Sequence, residues 1–183
     1  MILNPADLRM RYPATVTWCD TEPESWQDYT VCHTIRGAEE LKTALDRFEQ
    51  DVRNLKFALI GEIHDREGHE LKFGLHAFQD RAFISFQPKH LLENEKGHYQ
   101  YIPLRWSLAD SAAAATFPPI GHLKGRERID FLIWPGYDPY EIMPPYCVPM
   151  ILVRQAIREY LATGEFSTCI GWGERADWSI AKE

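Results

Sequence analysis

Residues 149–172 constrain this chain more than any other stretch. Pro149 suits the start of a helix, because its missing N–H would go unpaired there in any case. Val153, Ala156, Ile157, Tyr160 and Leu161 then recur at three- and four-residue spacing, so they line one helical face. Gly164 follows, where a left-handed C-cap costs glycine little. Ser167 to Trp172 is short, apolar and bounded by glycine, which predicts a strand. A helix with a broad apolar face and a short link to a strand belongs on a sheet that the strand joins.

The rest of the chain supplies that sheet. Residues 1–13 read as an irregular lead-in. Ala14–Cys19 and Tyr29–Ile35 are β-rich runs separated by an acidic turn containing Pro23. Gly37–Arg53 predicts a first helix, with Leu41, Ala44, Leu45, Phe48 and Val52 on its apolar face. Glu39 and Glu40 fall in its first turn, where the helix dipole favours them. Leu55–Ile63, Leu71–Ala77 and Arg81–Gln87 are short runs with turns between them, the pattern of an antiparallel meander. His98–Leu104 and Asp130–Trp134 predict further strands, and Trp134–Tyr146 a proline-rich loop. Ser107–Arg128, with Pro118-Pro119 breaking any helix, reads as an insertion (residues 107–128). The expectation is one α+β domain over residues 1–183: an antiparallel sheet of about six strands with two main helices packed on it.

Composition narrows the function classes. Apolar residues make up 45% and charged residues 26%, ordinary for a soluble globular chain. No run approaches the roughly 18 apolar residues that a spanning helix needs. The first residues lack the continuous apolar region of a secretory signal, which predicts a cytoplasmic protein. The net charge of −7 argues against direct contact with nucleic acid, whose phosphates need clustered Lys and Arg. It suits a basic protein partner, or simply solubility. Cys19, Cys32, Cys147 and Cys169 are scattered without any Cys-x-x-Cys, and each reads as a buried free thiol.

Strong catalytic motifs are missing. No Gly-x-Ser-x-Gly elbow, Walker loop or Gly-x-Gly-x-x-Gly turn occurs, nor the His-x-Glu and Pro-Cys-x-x-Cys of a zinc deaminase. Cys147 with a distant histidine is a conceivable nucleophile pair, but seven histidines make chance pairings easy. His64 and His69 flank Asp65-Arg66-Glu67-Gly68; in a hairpin their rings can approach one another, with Glu62 and Glu70 near. That group has no recognised zinc-ligand spacing, so the expectation is no metal, no cofactor and no enzyme. Surface remains. From Ile129 to Val153 there is no Lys or Arg, while Asp130, Asp138 and Glu141 are interleaved with Trp134, Tyr137, Tyr140 and Tyr146. Such rings either fold back over a sheet edge or serve a protein interface. Tyr137, Asp138, Tyr140 and Glu141 are the candidate contact surface, with Glu62, Asp65 and Glu67 of the acidic hairpin second.

The C-terminal pattern resembles a known family. Val148-Pro149, a helix ending Tyr160-Leu161-Ala162-Thr163-Gly164, then Phe166–Ile170 and Trp172, is similar to the first-numbered family of immunity proteins from bacterial polymorphic toxin systems. The helix Ala38–Val52 after a β-run, and the meander from Leu55, follow the family's order of elements. The specific match covers about 25 residues; the first 25 or so residues and Ser107–Arg128 look like additions to a shorter family core. The resemblance implies a small cytoplasmic bacterial protein that binds a cognate toxin in interbacterial competition. It implies that the toxin is a basic nucleic-acid-modifying domain such as a base deaminase, inhibited by occlusion of its active site. The family offers no catalytic residues. A metal-dependent hydrolase using His64 and His69, and a general protein-binding module, are the rival expectations.

Overall fold

The computed structural model describes residues 10–20, 30–56, 58–89, 105–108, 129–131, 140–142 and 146–174. In chain order its elements are β1 (Ala14–Trp18), β2 (Val31–Ile35), α1 (Ala38–Leu55), β3 (Leu59–His64), β4 (Glu70–Leu75), β5 (Ala82–Gln87), β6 (Arg105–Leu108), β7 (Ile129–Phe131), β8 (Tyr140–Ile142), α2 (Met150–Thr163) and β9 (Gly171–Glu174). The fold is α+β. Seven antiparallel strands form the main sheet in the order β2-β1-β3-β4-β5-β6-β9, and β7 pairs with β8 in a separate ribbon.

Both helices bury the stripes that their spacing predicts. In α1 these are Leu41, Ala44, Leu45, Phe48 and Val52; in α2 they are Met150, Val153, Ala156, Ile157, Tyr160 and Leu161. They meet Val16, Trp18, Leu59, Ile63, Leu71, Phe73, Ile84 and Phe86 in one core. Each strand contributes alternate residues to it, because successive side chains leave a strand on opposite faces. Arg154 ties the two helices together, donating to Glu49 (2.5 Å) and Asp46 (2.6 Å) of α1. The start of α2 is capped from far away: Asp80 Oδ1, in the turn after β4, accepts the Met150 N–H at 3.0 Å. That satisfies one of the N–H groups that every helix start leaves without an internal partner. On the other sheet face, Ala58, Ile60, Phe83, Ile142 and Cys147 form a smaller cluster with Tyr146 against it.

Several expectations shift. Pro149 precedes the first helical residue instead of occupying it. The strand expected at Ser167–Trp172 begins at Gly171, and it lies at the edge of the sheet. Ser167 explains the delay: its Oγ accepts the Cys169 N–H at 3.1 Å, a local turn that competes with strand pairing. Ser107 belongs to β6, so the residues counted as an insertion begin inside the sheet. Its Oγ accepts the Ile84 N–H (3.1 Å) and donates to the Tyr146 carbonyl (2.7 Å). The loop expected at Trp134–Tyr146 holds the strand β8. Cys32 is exposed, since it points away from the helix-covered face; Cys19 and Cys147 are buried. The lead-in up to residue 9, the strand expected at His98–Leu104, and residues 109–128 lie outside the described residues.

Candidate functional site

The sheet face away from the helices carries an unusual set of residues. Register places Thr17, Glu62, Lys72 and Ser85 in one row across β1, β3, β4 and β5. The adjacent row holds Thr15, His64, Glu70 and Gln87. Directly opposed antiparallel residues share a face at about 4.5–5.5 Å, so two charged pairs are forced together. Lys72 Nζ lies 3.1 Å from Glu62 Oε1 and 3.6 Å from Glu70 Oε1. His64 Nε2 lies 3.8 Å from Glu62 Oε2 and 4.0 Å from Glu70 Oε2. Each carboxylate thus turns one oxygen to the ammonium and the other to the imidazole.

Burial and charge act against each other here. The Glu62 carboxylate lifts the His64 imidazole above its usual range, against burial, which pulls it down; Glu70 adds to the lift. Burial raises the Glu70 carboxyl above the ordinary range, and Lys72 offsets part of that. Glu62 and Glu70 are both buried, whereas the His64 side chain keeps 43% of its surface in solvent.

The turn between β3 and β4 is braced from within. Asp65 Oδ1 accepts the backbone N–H groups of Glu67 (2.8 Å) and His69 (2.9 Å). Its Oδ2 accepts the Tyr160 hydroxyl at 2.9 Å, and Arg11 Nε stands 3.9 Å away. Gly68 takes a positive φ of 84°, a region open to glycine at little cost. Asp65 is therefore a buried group that braces the turn, its side chain only 1% exposed. Glu67 is the outward carboxylate of the turn, 45% exposed and paired with Arg11. Burial pulls its carboxyl up, but Arg11 and His69 outweigh this and hold it below the usual range.

The two histidines of the hairpin do not form a pair. His69 packs its ring against Phe86, which in turn touches Tyr160 of α2, so it belongs to the helix side. Its Nδ1 accepts the Lys89 N–H at 3.1 Å and its Nε2 faces Glu67 at 3.4 Å. His64 faces Glu62 and Glu70 on the opposite side, because the sheet separates residues of unlike parity. Cys147 is no better placed as a nucleophile: burial pushes its thiol up to about 12, partly offset by Arg81, so the reactive thiolate is scarce at neutral pH.

No known protein family, curated protein or solved structure matches this chain.

Of the other expected contact residues, Tyr140 and Glu141 lie in β8, where only their backbone is described, paired with Phe131 and Asp130. Tyr137 and Asp138 fall outside the described residues. Two apolar side chains escaped the sequence reading. Phe78 is 72% exposed and Ile151 is 67% exposed, the largest values for bulky apolar groups among the described residues. Each lies within two positions of the Asp80–Met150 hydrogen bond that caps α2. The signal for Ile151 was present: it stands off the apolar stripe of its helix. Phe78 gave none, since its turn reads as a continuation of the preceding apolar run.

Proposed function

We propose that this chain is a toxin-neutralising immunity protein similar to the first-numbered immunity family, acting in the bacterial cytoplasm. It binds a basic, nucleic-acid-modifying toxin domain, for which a base deaminase is the leading candidate, and occludes its active site without catalysing a reaction. The order of elements agrees with what the resemblance implies: β-run, helix, meander, helix closing on Gly164, then the strand with Trp172. No helix among the described residues is long and apolar enough to cross a membrane.

The observation that carries the reading is the combination of a net charge of −7 with Phe78 and Ile151 standing in solvent beside a fixed helix start. Exposed bulky apolar groups on a rigid support are typical binding anchors, and a net negative charge speeds encounter with a basic partner. Glu67, held on a braced turn, adds a pre-organised carboxylate; Tyr137, Asp138, Tyr140 and Glu141 make up the remaining candidate surface. Glu62 faces Lys72 and His64 and is a weaker contact candidate.

The test is co-purification of the chain from its source cell, followed by inhibition of whatever toxin remains attached. A stable complex with loss of toxin activity is expected. Phe78→Ala with Ile151→Ala should weaken binding by at least tenfold while leaving the melting temperature unchanged. A Tyr140→Ala, Glu141→Lys double variant that binds normally would remove that patch. A chain that leaves the toxin encoded beside it fully active would refute the function.

A further inference from the structure

We propose that Glu62, His64 and Glu70 form a binding site for a divalent metal ion, namely zinc. Their ligand atoms all lie within 4.8 Å of one another, and His64 Nε2 is 3.8 and 4.0 Å from the two carboxylate oxygens. A tetrahedral zinc site with bonds of about 2.0–2.1 Å brings such atoms to about 3.3–3.4 Å. The required contraction is therefore well under 1 Å for the two measured pairs, a distance that side-chain torsions can supply. One imidazole with two carboxylates suits zinc better than magnesium, which prefers oxygen ligands and retains its waters.

The arrangement around these three residues is that of a supported site. Lys72 holds the other oxygen of each glutamate, as outer partners orient metal-ligating carboxylates. The exposed edge of His64 provides a route from solvent. Thr17 is an independent pointer to a ligand. It lies directly across from Glu62 on the same sheet face and is only 8% exposed, yet among the described residues its hydroxyl has no hydrogen-bond partner. Buried hydroxyls are seldom left unpaired. Three protein ligands leave a fourth zinc position for water, and such a water gives the Thr17 hydroxyl a partner. The site does not depend on the toxin-binding reading: it needs only the pairing of β1, β3 and β4.

The experiment is calorimetric titration of the full chain, made metal-free and without a histidine tag, with zinc chloride. One zinc ion per chain is expected, with magnesium chloride giving no comparable heat. His64→Gln should weaken zinc binding by about 100-fold or more, since even loss of an outer partner costs 10- to 100-fold. His64 is half exposed, so this variant should keep its circular dichroism spectrum and melting temperature. A second measurement on unmodified protein guards against misfolding: zinc should shift the His64 imidazole resonances and leave those of His69 and His76 in place. Absence of zinc binding, unchanged affinity in His64→Gln, or an unmoved His64 signal would each overturn the proposal.

Discussion

Replacing Gly61 with alanine is a sharp test of how β3 lies on β4. The register sets Gly61 opposite Phe73. A Cβ added at Gly61 would meet Phe73 Cζ at 2.5 Å and Cε1 at 2.8 Å, where ordinary contact is 3.4–4 Å. The ring would have to move by about 1 Å, and it has little room. Phe73 is fully buried, with its ring 4.8 Å from that of Phe48, which stands 5.6 Å from Trp18. Trp18 in turn is held by its bond to Asp51 at 2.9 Å. Overpacking of this kind costs about 1–3 kcal/mol. Stiffening the unfolded chain at a former glycine offsets roughly 0.4–1 kcal/mol of that. The net expectation is a destabilisation of about 1–2 kcal/mol, or roughly 2–8 °C in Tm for a chain of this size. Urea denaturation gives the free energy; the midpoint should fall with the slope unchanged. Gly61→Ala combined with Phe73→Leu should cost less than the sum of the two single changes, because the new methyl occupies space vacated by the ring. A Gly61→Ala variant as stable as the parent, or a double variant additive to within about 0.5 kcal/mol, would refute the contact.

Two further outcomes follow from the buried polar groups. Tyr160→Phe removes the 2.9 Å bond to Asp65 that joins α2 to the β3–β4 turn. A hydrogen bond to a charged group is worth about 1.5–3 kcal/mol, so urea denaturation should register a loss of that size, and no loss would show that the turn does not need it. Burial and the neighbouring Asp65 push the Tyr160 phenol well above its usual range, so it remains the donor throughout the working pH range. In thiol labelling of the folded protein at pH 8, Cys32 should react first and Cys147 last, since Cys32 is exposed and the Cys147 thiol is pushed up to about 12. Mass mapping that finds Cys147 modified as fast as Cys32 would contradict that burial.

The buried faces of both helices, and the existence of β1 to β5, were legible because they are local. Spacing of three and four residues sets which side of a helix is apolar, and spacing of two sets the face of a strand, whatever lies opposite. Edges were less legible. Ser167 diverts the chain into a turn through a bond to Cys169, and β6 and β8 are too short to announce themselves among prolines and polar residues. The candidate metal cluster was half visible. Glu62, His64 and Glu70 are near in sequence and were grouped together, but so was His69, which turns to the other face.

The sequence by itself determined the class of fold: two amphipathic helices, a run of short strands and the turns between them are written in residue spacing. Only the tertiary structure decided which side chains meet. Asp80 caps α2 from 70 positions away, and the pairing of β3 with β4 sets Glu62 against Lys72 and His64 against Glu70. The reason is geometric. Local pattern fixes a side chain's direction about its own element, whereas strand order and register fix its neighbours, and a slip of β3 by one residue would send Glu62 and His64 to the face opposite Glu70.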